Sequence, residues 1–193
     1  MNKEKYEIKD PLDVANYVIK LDKKNNLSIT NLQLQQMLFF LQGYFLSQYQ
    51  GRLIACDFVK SKHGPIQKDV DNEFESSNED DPIKKPIKSL IYFSSLFNEI
   101  DVYEPALDTE LIPNLSEFNQ LIQKLTKLST NNLTKMSQDY PNWEKDKLEL
   151  DTDQELKFSQ DEIKTCFDNN QAEFKLTKNK SIKMNKNTDD LEL

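Results

Sequence analysis

The sequence predicts a mainly α-helical, single compact domain with a small β element and a loose C-terminal tail. Three observations carry this. Helix-capping signatures recur ahead of apolar runs of helical period, at Asp10-Pro11, Thr30, Ser116, Ser129 and Ser159. Strand-like composition is confined to short stretches, the clearest being residues 53–59. After about Asn170 the chain is rich in Lys and Asn with isolated apolar residues, a composition that buries too little to order itself. At 193 residues one domain is the default. Residues 1–168 are assigned to it and residues 169–193 to a polar tail.

The elements follow in order. Asp10 as N-cap and Pro11 at N1 open a first helix with Val14, Ala15, Val18 and Ile19 on one face, ended by the Lys-Lys-Asn-Asn run at 23–26. Thr30 and Gln33 form a capping-box pattern. The helix they open places Leu34, Met37, Leu38, Leu41 and Phe45 on a stripe that Phe39, Phe40, Tyr44 and Leu46 widen, so it is expected at the centre of the fold. Gln50-Gly51 ends it. Residues 53–59 read as a short strand needing a partner, for which Asp101–Tyr103 is one candidate. Ile66, Val70 and Phe74 sit four apart, as a helix after His63-Gly64-Pro65 requires.

Residues 69–81 hold seven acids and no base and read as a helix end running into a solvated loop. Residues 89–97 are apolar without clean period, and helix or buried strand stays open. Ser116 is expected to cap a helix burying Phe118, Leu121, Ile122, Leu125 and Leu128. Ser129 is expected to cap one burying Leu133 and Met136, which ends at Tyr140–Trp143. Ser159 and Glu162 make a further capping box ahead of Ile163, Cys166 and Phe167.

Charge and composition exclude several functions. The net charge of -8 argues against a broad nucleic-acid surface or an anionic membrane as main partner. Only Arg52 could supply a bidentate phosphate or carboxylate clamp. Three glycines cannot build a phosphate-binding loop, which counts against P-loop and dinucleotide enzymes. Cys56 and Cys166 make neither a disulfide framework nor a zinc site, and free thiols fit a reducing, cytoplasmic setting. The N-terminus has no apolar signal-peptide core and no run is long enough to span a membrane.

Few residues are left to carry chemistry. His63, the only histidine, could serve as a general base with Cys56 as nucleophile, but a lone histidine without a nucleophile elbow or metal spacing reads first as a structural or partner-contact residue. Asp69, Asp71 and Glu73 could bind a metal, but without an EF-hand pattern they read as a solvated helix face. The aromatics of the central helix read as core. Trp143 either seals the core or stands exposed as an anchor. No catalytic residue, metal site or cofactor is assigned.

The stretch Leu34-Gln35-Gln36-Met37-Leu38-Phe39-Phe40-Leu41-Gln42-Gly43-Tyr44, then a short strand, then Lys62-His63-Gly64-Pro65-Ile66 with Val70 and Phe74, resembles the Panacea domain. This is the SocA-like antitoxin domain also found in GepA-like phage-associated proteins. Leu133–Gln138, Pro141-Asn142-Trp143 and the helix at 161–167 extend the resemblance, which covers about residues 10 to 168. Gln36 stands where the family often has Lys, Ser137-Gln138 where a Thr-His pair is common, and Asn142 separates Pro141 from Trp143.

The resemblance implies a bacterial, non-enzymatic antitoxin that neutralises a protein toxin encoded beside it by direct binding. Some members present the toxin to a Clp-type protease as adaptors, and many accompany phages and other mobile elements. Candidate contact residues are Lys62, His63, Gly64, Pro65, Asp69, Glu73 and Trp143. Two other readings stay open: a phage- or mobile-element-associated regulatory protein without a toxin, and a hydrolase using Cys56 and His63.

Overall fold

The computed structural model describes residues 10–25, 28–74, 81–92, 100–150 and 155–174. The first helices are α1 (Pro11–Lys24) and α2 (Asn31–Tyr49). A hairpin of β1 (Val59–Ser61) and β2 (Gly64–Ile66) follows, then α3 (Lys68–Asn72). A second hairpin consists of β3 (Ser89–Tyr92) and β4 (Ile100–Tyr103). Then come α4 (Leu115–Leu125), α5 (Thr130–Ser137), α6 (Trp143–Glu149), α7 (Gln160–Asn169) and α8 (Gln171–Phe174). The fold is mainly α, as the sequence predicts, and no described helix is long and apolar enough to cross a membrane.

Helix α2 is the axis. Met37, Leu38, Phe39, Phe40 and Leu41 are consecutive, so this middle segment is apolar on every side rather than along one stripe, and such a segment must be enclosed. Residues 34–45 are all buried, and α1, α4, α5 and α7 pack about them. The closest approach is at Gly43. A Cβ there would stand 2.6 Å from Cβ of Phe167 and 3.1 Å from the carbonyl of Ile163, so only glycine lets α7 lie this near. Aromatic edges fill the seam, with Tyr44 to Phe167 at 5.9 Å and Phe167 stacked on Phe174 at 5.3 Å.

The glutamines of α2 bracket the loops around it. Gln42 Oε1 accepts from the amides of Leu53 and Ile54 at 2.9 Å each, and its Nε2 donates to Gln160. Gln35 Oε1 accepts from the Gln67 amide at 2.8 Å. Gln33 Nε2 donates to the carbonyls of Thr126 and Leu128. A buried amide left unpaired costs about 1–3 kcal/mol, so each bracket also fixes a loop. Thr30 caps the Gln33 amide as expected, but the Gln33 side chain is engaged with α4's end, so only half of that capping box forms.

Several expectations are corrected. Residues 53–58 form no strand. Gln42 takes two of their amides, while Arg52 donates to the carbonyls of Ile54, Ala55 and Cys56, so side chains replace the ladder. The strand is β1, and its partner is β2, paired Val59↔Ile66, Lys60↔Pro65 and Ser61↔Gly64. Asp101–Tyr103 belongs instead to β4, whose partner β3 resolves the first part of 89–97 as strand; the rest of that stretch lies outside the described residues. Ile66 is in β2, and the following helix is the short α3, capped by Gln67. Asn114, not Ser116, caps α4 by accepting from the Glu117 amide. Helix α6 was not expected. Order also continues past residue 168: α8 buries Phe174 completely, and the tail from residue 175 lies outside the described residues.

Helix α1 holds the middle of the chain. The Asn16 side chain accepts from the Ile87 amide and donates to the carbonyls of Ile87 and Pro105, pinning both roots of the β3–β4 hairpin. Ile83 donates to the carbonyl of Ile29 at 2.9 Å, which lays the 82–88 segment along the α1–α2 turn.

Candidate functional site

The Lys-His-Gly-Pro motif is the tip of the β1–β2 hairpin. Lys62 and His63 form its two-residue turn and are exposed, while Gly64 and Pro65 are buried. Ser61 Oγ accepts from the His63 amide and donates to the Gly64 carbonyl, closing the turn. Gly64 has φ +114°, a left-handed conformation that a side chain would strain. The His63 carbonyl accepts from Gln36 Nε2 at 3.1 Å and Thr134 Oγ1 at 3.2 Å. Two of the residues noted above as departures from the family pattern meet here, since Gln36 Nε2 and Ser137 Oγ each lie 3.4 Å from where a Gly64 Cβ would be. The tip is thus a rigid projection from the α2–α5 platform.

Lys60, one residue before the tip strand's end, builds the strongest electrostatic feature. Its ammonium is buried, 2.5 Å from Asp146 Oδ2 and 2.9 Å from Glu162 Oε1. It lies 4.8 Å from the Tyr140 ring centroid and 5.1 Å from that of Phe158. The Tyr140 hydroxyl donates to the same Asp146 oxygen at 3.0 Å, and burial with this carboxylate drives the phenol far above its ordinary range. The other oxygen of Glu162 accepts from the Ser159 amide in the expected capping box, with both reciprocal bonds present. Sequence reasoning assigned Glu162 only to its cap and did not single out Lys60, Asp146 or Tyr140. Lys60 falls just beyond the stretch 53–59 that reads as a strand, so no local pattern marks it.

The remaining predicted contact residues are distributed. Asp69 is exposed and lines a small pocket with Cys56, Gln67 and Lys157. Burial and the Asp69 carboxylate push up the Cys56 thiol. Glu73, also exposed, borders a groove of about 600 Å³ with Phe74 and residues 81–88. Trp143 is half-buried. Its ring meets Tyr140 edge-on at 6.2 Å and walls a groove of about 380 Å³ with Lys135, Met136, Gln138 and Asn170. The structure therefore joins the tip to Trp143 through Lys60 and Tyr140, and leaves Asp69 and Glu73 on different flanks.

The two cysteines sit in different surroundings. Cys166 is buried and donates to the Ser137 carbonyl, and its thiol is pushed up to about 12, chiefly by burial. Cys56 neighbours Asp69 in its pocket, whereas His63 is at the hairpin tip. Arg52 is turned onto backbone carbonyls and Asp57. Among the described residues no three His, Cys, Asp or Glu side chains converge on a metal position.

The family model for the SocA-like antitoxin, Panacea domain, matches residues 34–144. The chain belongs to this family. The match runs from the first turn of α2 to the start of α6, so it takes in the Panacea axis helix, the hairpin tip, α5 and Trp143. No curated protein and no solved structure matches the chain.

Proposed function

We propose that this Panacea domain is an antitoxin that neutralises a protein toxin, encoded beside it, by direct binding. The observation that carries the reading is the antitoxin family match, which spans every residue picked as a contact. The geometry supports it. Lys62 and His63 are held out on a turn whose backbone is tied to α2 and α5, so contacts made there lose little ordering entropy. Asp69 and Glu73 add acidic flanks to a chain of net charge -8, which favours encounter with a basic partner and makes association salt-dependent. Action is by surface complementarity, with no catalytic step, metal or cofactor. Delivery of the bound toxin to a Clp-type protease is the finer form of the same reading.

Co-expression with each neighbouring gene tests it. One neighbour is expected to arrest growth alone, to be tolerated beside this protein and to co-purify with it. A fall in toxin lifetime on co-expression would add the protease. If no neighbour is toxic, the protein is a regulator without a toxin. The Cys56→Ala, His63→Ala double variant separates binding from catalysis. A contact residue costs about 1–3 kcal/mol of affinity, so weakened rescue should return on overexpression. Rescue lost at every level with binding intact would replace this reading by an enzyme.

A further inference from the structure

Helix α6 departs from the way the other helices are held. It has seven residues, too few to be stable in water alone. Its N-cap, Asn142, makes no side-chain capping bond, whereas Asp10, Thr30, Asn114, Ser129 and Ser159 cap α1, α2, α4, α5 and α7. Its only buried residue is not apolar but Asp146. Leu148 points away from the body at 76% exposure. What fastens α6 is one carboxylate oxygen, on which the Lys60 ammonium and the Tyr140 hydroxyl converge, with the half-buried Trp143 resting on Tyr140 at its first residue.

We infer that α6 is an electrostatically latched strap, closed by Asp146 on Lys60, that opens as a unit while the helical body stays folded. Two features make the latch separable from the fold. Lys60 retains Glu162 when Asp146 leaves, so opening does not strand an uncompensated buried cation. The body's fully buried apolar residues come from the other helices and the segments between them; α6 supplies none, and only the half-buried Trp143 packs against that core. Opening carries Trp143 with it, and so reshapes the wall of the groove formed with Met136 and Gln138. This inference concerns the free protein and stands whether or not a toxin is its partner.

Hydrogen exchange on the full chain, read by peptide, is the test. Asp146→Ala should speed exchange across 143–150 by at least about tenfold, while peptides from α2 and α7 keep wild-type protection. Trp143→Ala should give a clearly smaller acceleration over the same peptide. Lys60→Met should also speed exchange across 143–150, and its effect should extend to the first turn of α7, because Glu162 loses the same ammonium. Unchanged exchange in Asp146→Ala would overturn the inference. So would equal acceleration of α2, α6 and α7, because α6 would then be part of the global unit. An effect of Trp143→Ala larger than that of Asp146→Ala would assign the fastening to the indole instead.

Discussion

Helices α7 and α6 are fastened to the same body by opposite means. Helix α7 lies in an apolar seam: Ile163, Cys166 and Phe167 are all fully buried, and α2 narrows to a glycine to receive them. Helix α6 buries a single carboxylate against a single ammonium. The seam distributes its free energy over many contacts, none decisive, and is insensitive to orientation. The latch concentrates its free energy in one directional group and is lost when that group leaves. The first arrangement suits an element that must stay, and the second suits one that can detach.

The seam should break most severely at its centre. Leu38→Asp or Leu41→Asp would bury an unpaired carboxylate on α2 and cost several kcal/mol, so the protein should aggregate or lose cooperative melting. Soluble variants with near-native melting would remove α2 from the centre. Phe174→Ala should cost about 3–5 kcal/mol in denaturant titration, since the ring is fully buried on Phe167. Truncation after residue 174 should leave the melting temperature within a few degrees, as the polar tail has little to bury. Truncation after residue 170 should not.

Gly43→Ala should cost about 1–3 kcal/mol, because its Cβ meets the Phe167 Cβ and the Ile163 carbonyl rather than a side-chain end that can swing away. A neutral substitution would mean that the seam slides.

Asp22 sharpens the comparison as a buried carboxylate with no latch. Its Oδ1 has no partner among the described residues, and its Oδ2 meets only the Ile29 amide, at 3.5 Å. Burial raises its carboxyl above the usual 3.8. The folded state therefore holds the proton more tightly than the unfolded chain. The resulting stabilisation is complete below about pH 4 and is lost as pH rises through the folded value. Asp22→Asn should raise the melting temperature at pH 7, by a margin that shrinks as the pH falls to 4. The smallest effect belongs to Leu148→Ala, expected within about 0.5 kcal/mol by thermal melting, because that side chain is exposed.

Read residue by residue, much of the fold was legible. Local signals acted locally: Asp10, Thr30, Ser129 and Ser159 cap the helices they precede, because a cap needs only an oxygen and an amide two or three residues on. Apolar periodicity placed Val14, Val18, Phe118, Leu121 and Ile163 inside, and the Lys62–Pro65 motif marked a turn. The candidate site was legible only in part. Its tip was visible as a motif, but Lys60, Tyr140 and Asp146 are separated by up to 86 residues along the chain.

By itself the sequence determined the helical class, the central place of α2, most caps and the turn at Lys62-His63, since periodicity and capping depend on neighbours within a turn or two. Tertiary structure alone decided that residues 53–58 would forgo a ladder for the Gln42 amide, that β1 would pair with β2, and that α6 would exist at all. Each of these depends on a partner brought close only by folding. A buried polar group takes whichever complementary group the packing leaves within about 3 Å, and no local pattern of residues encodes that choice.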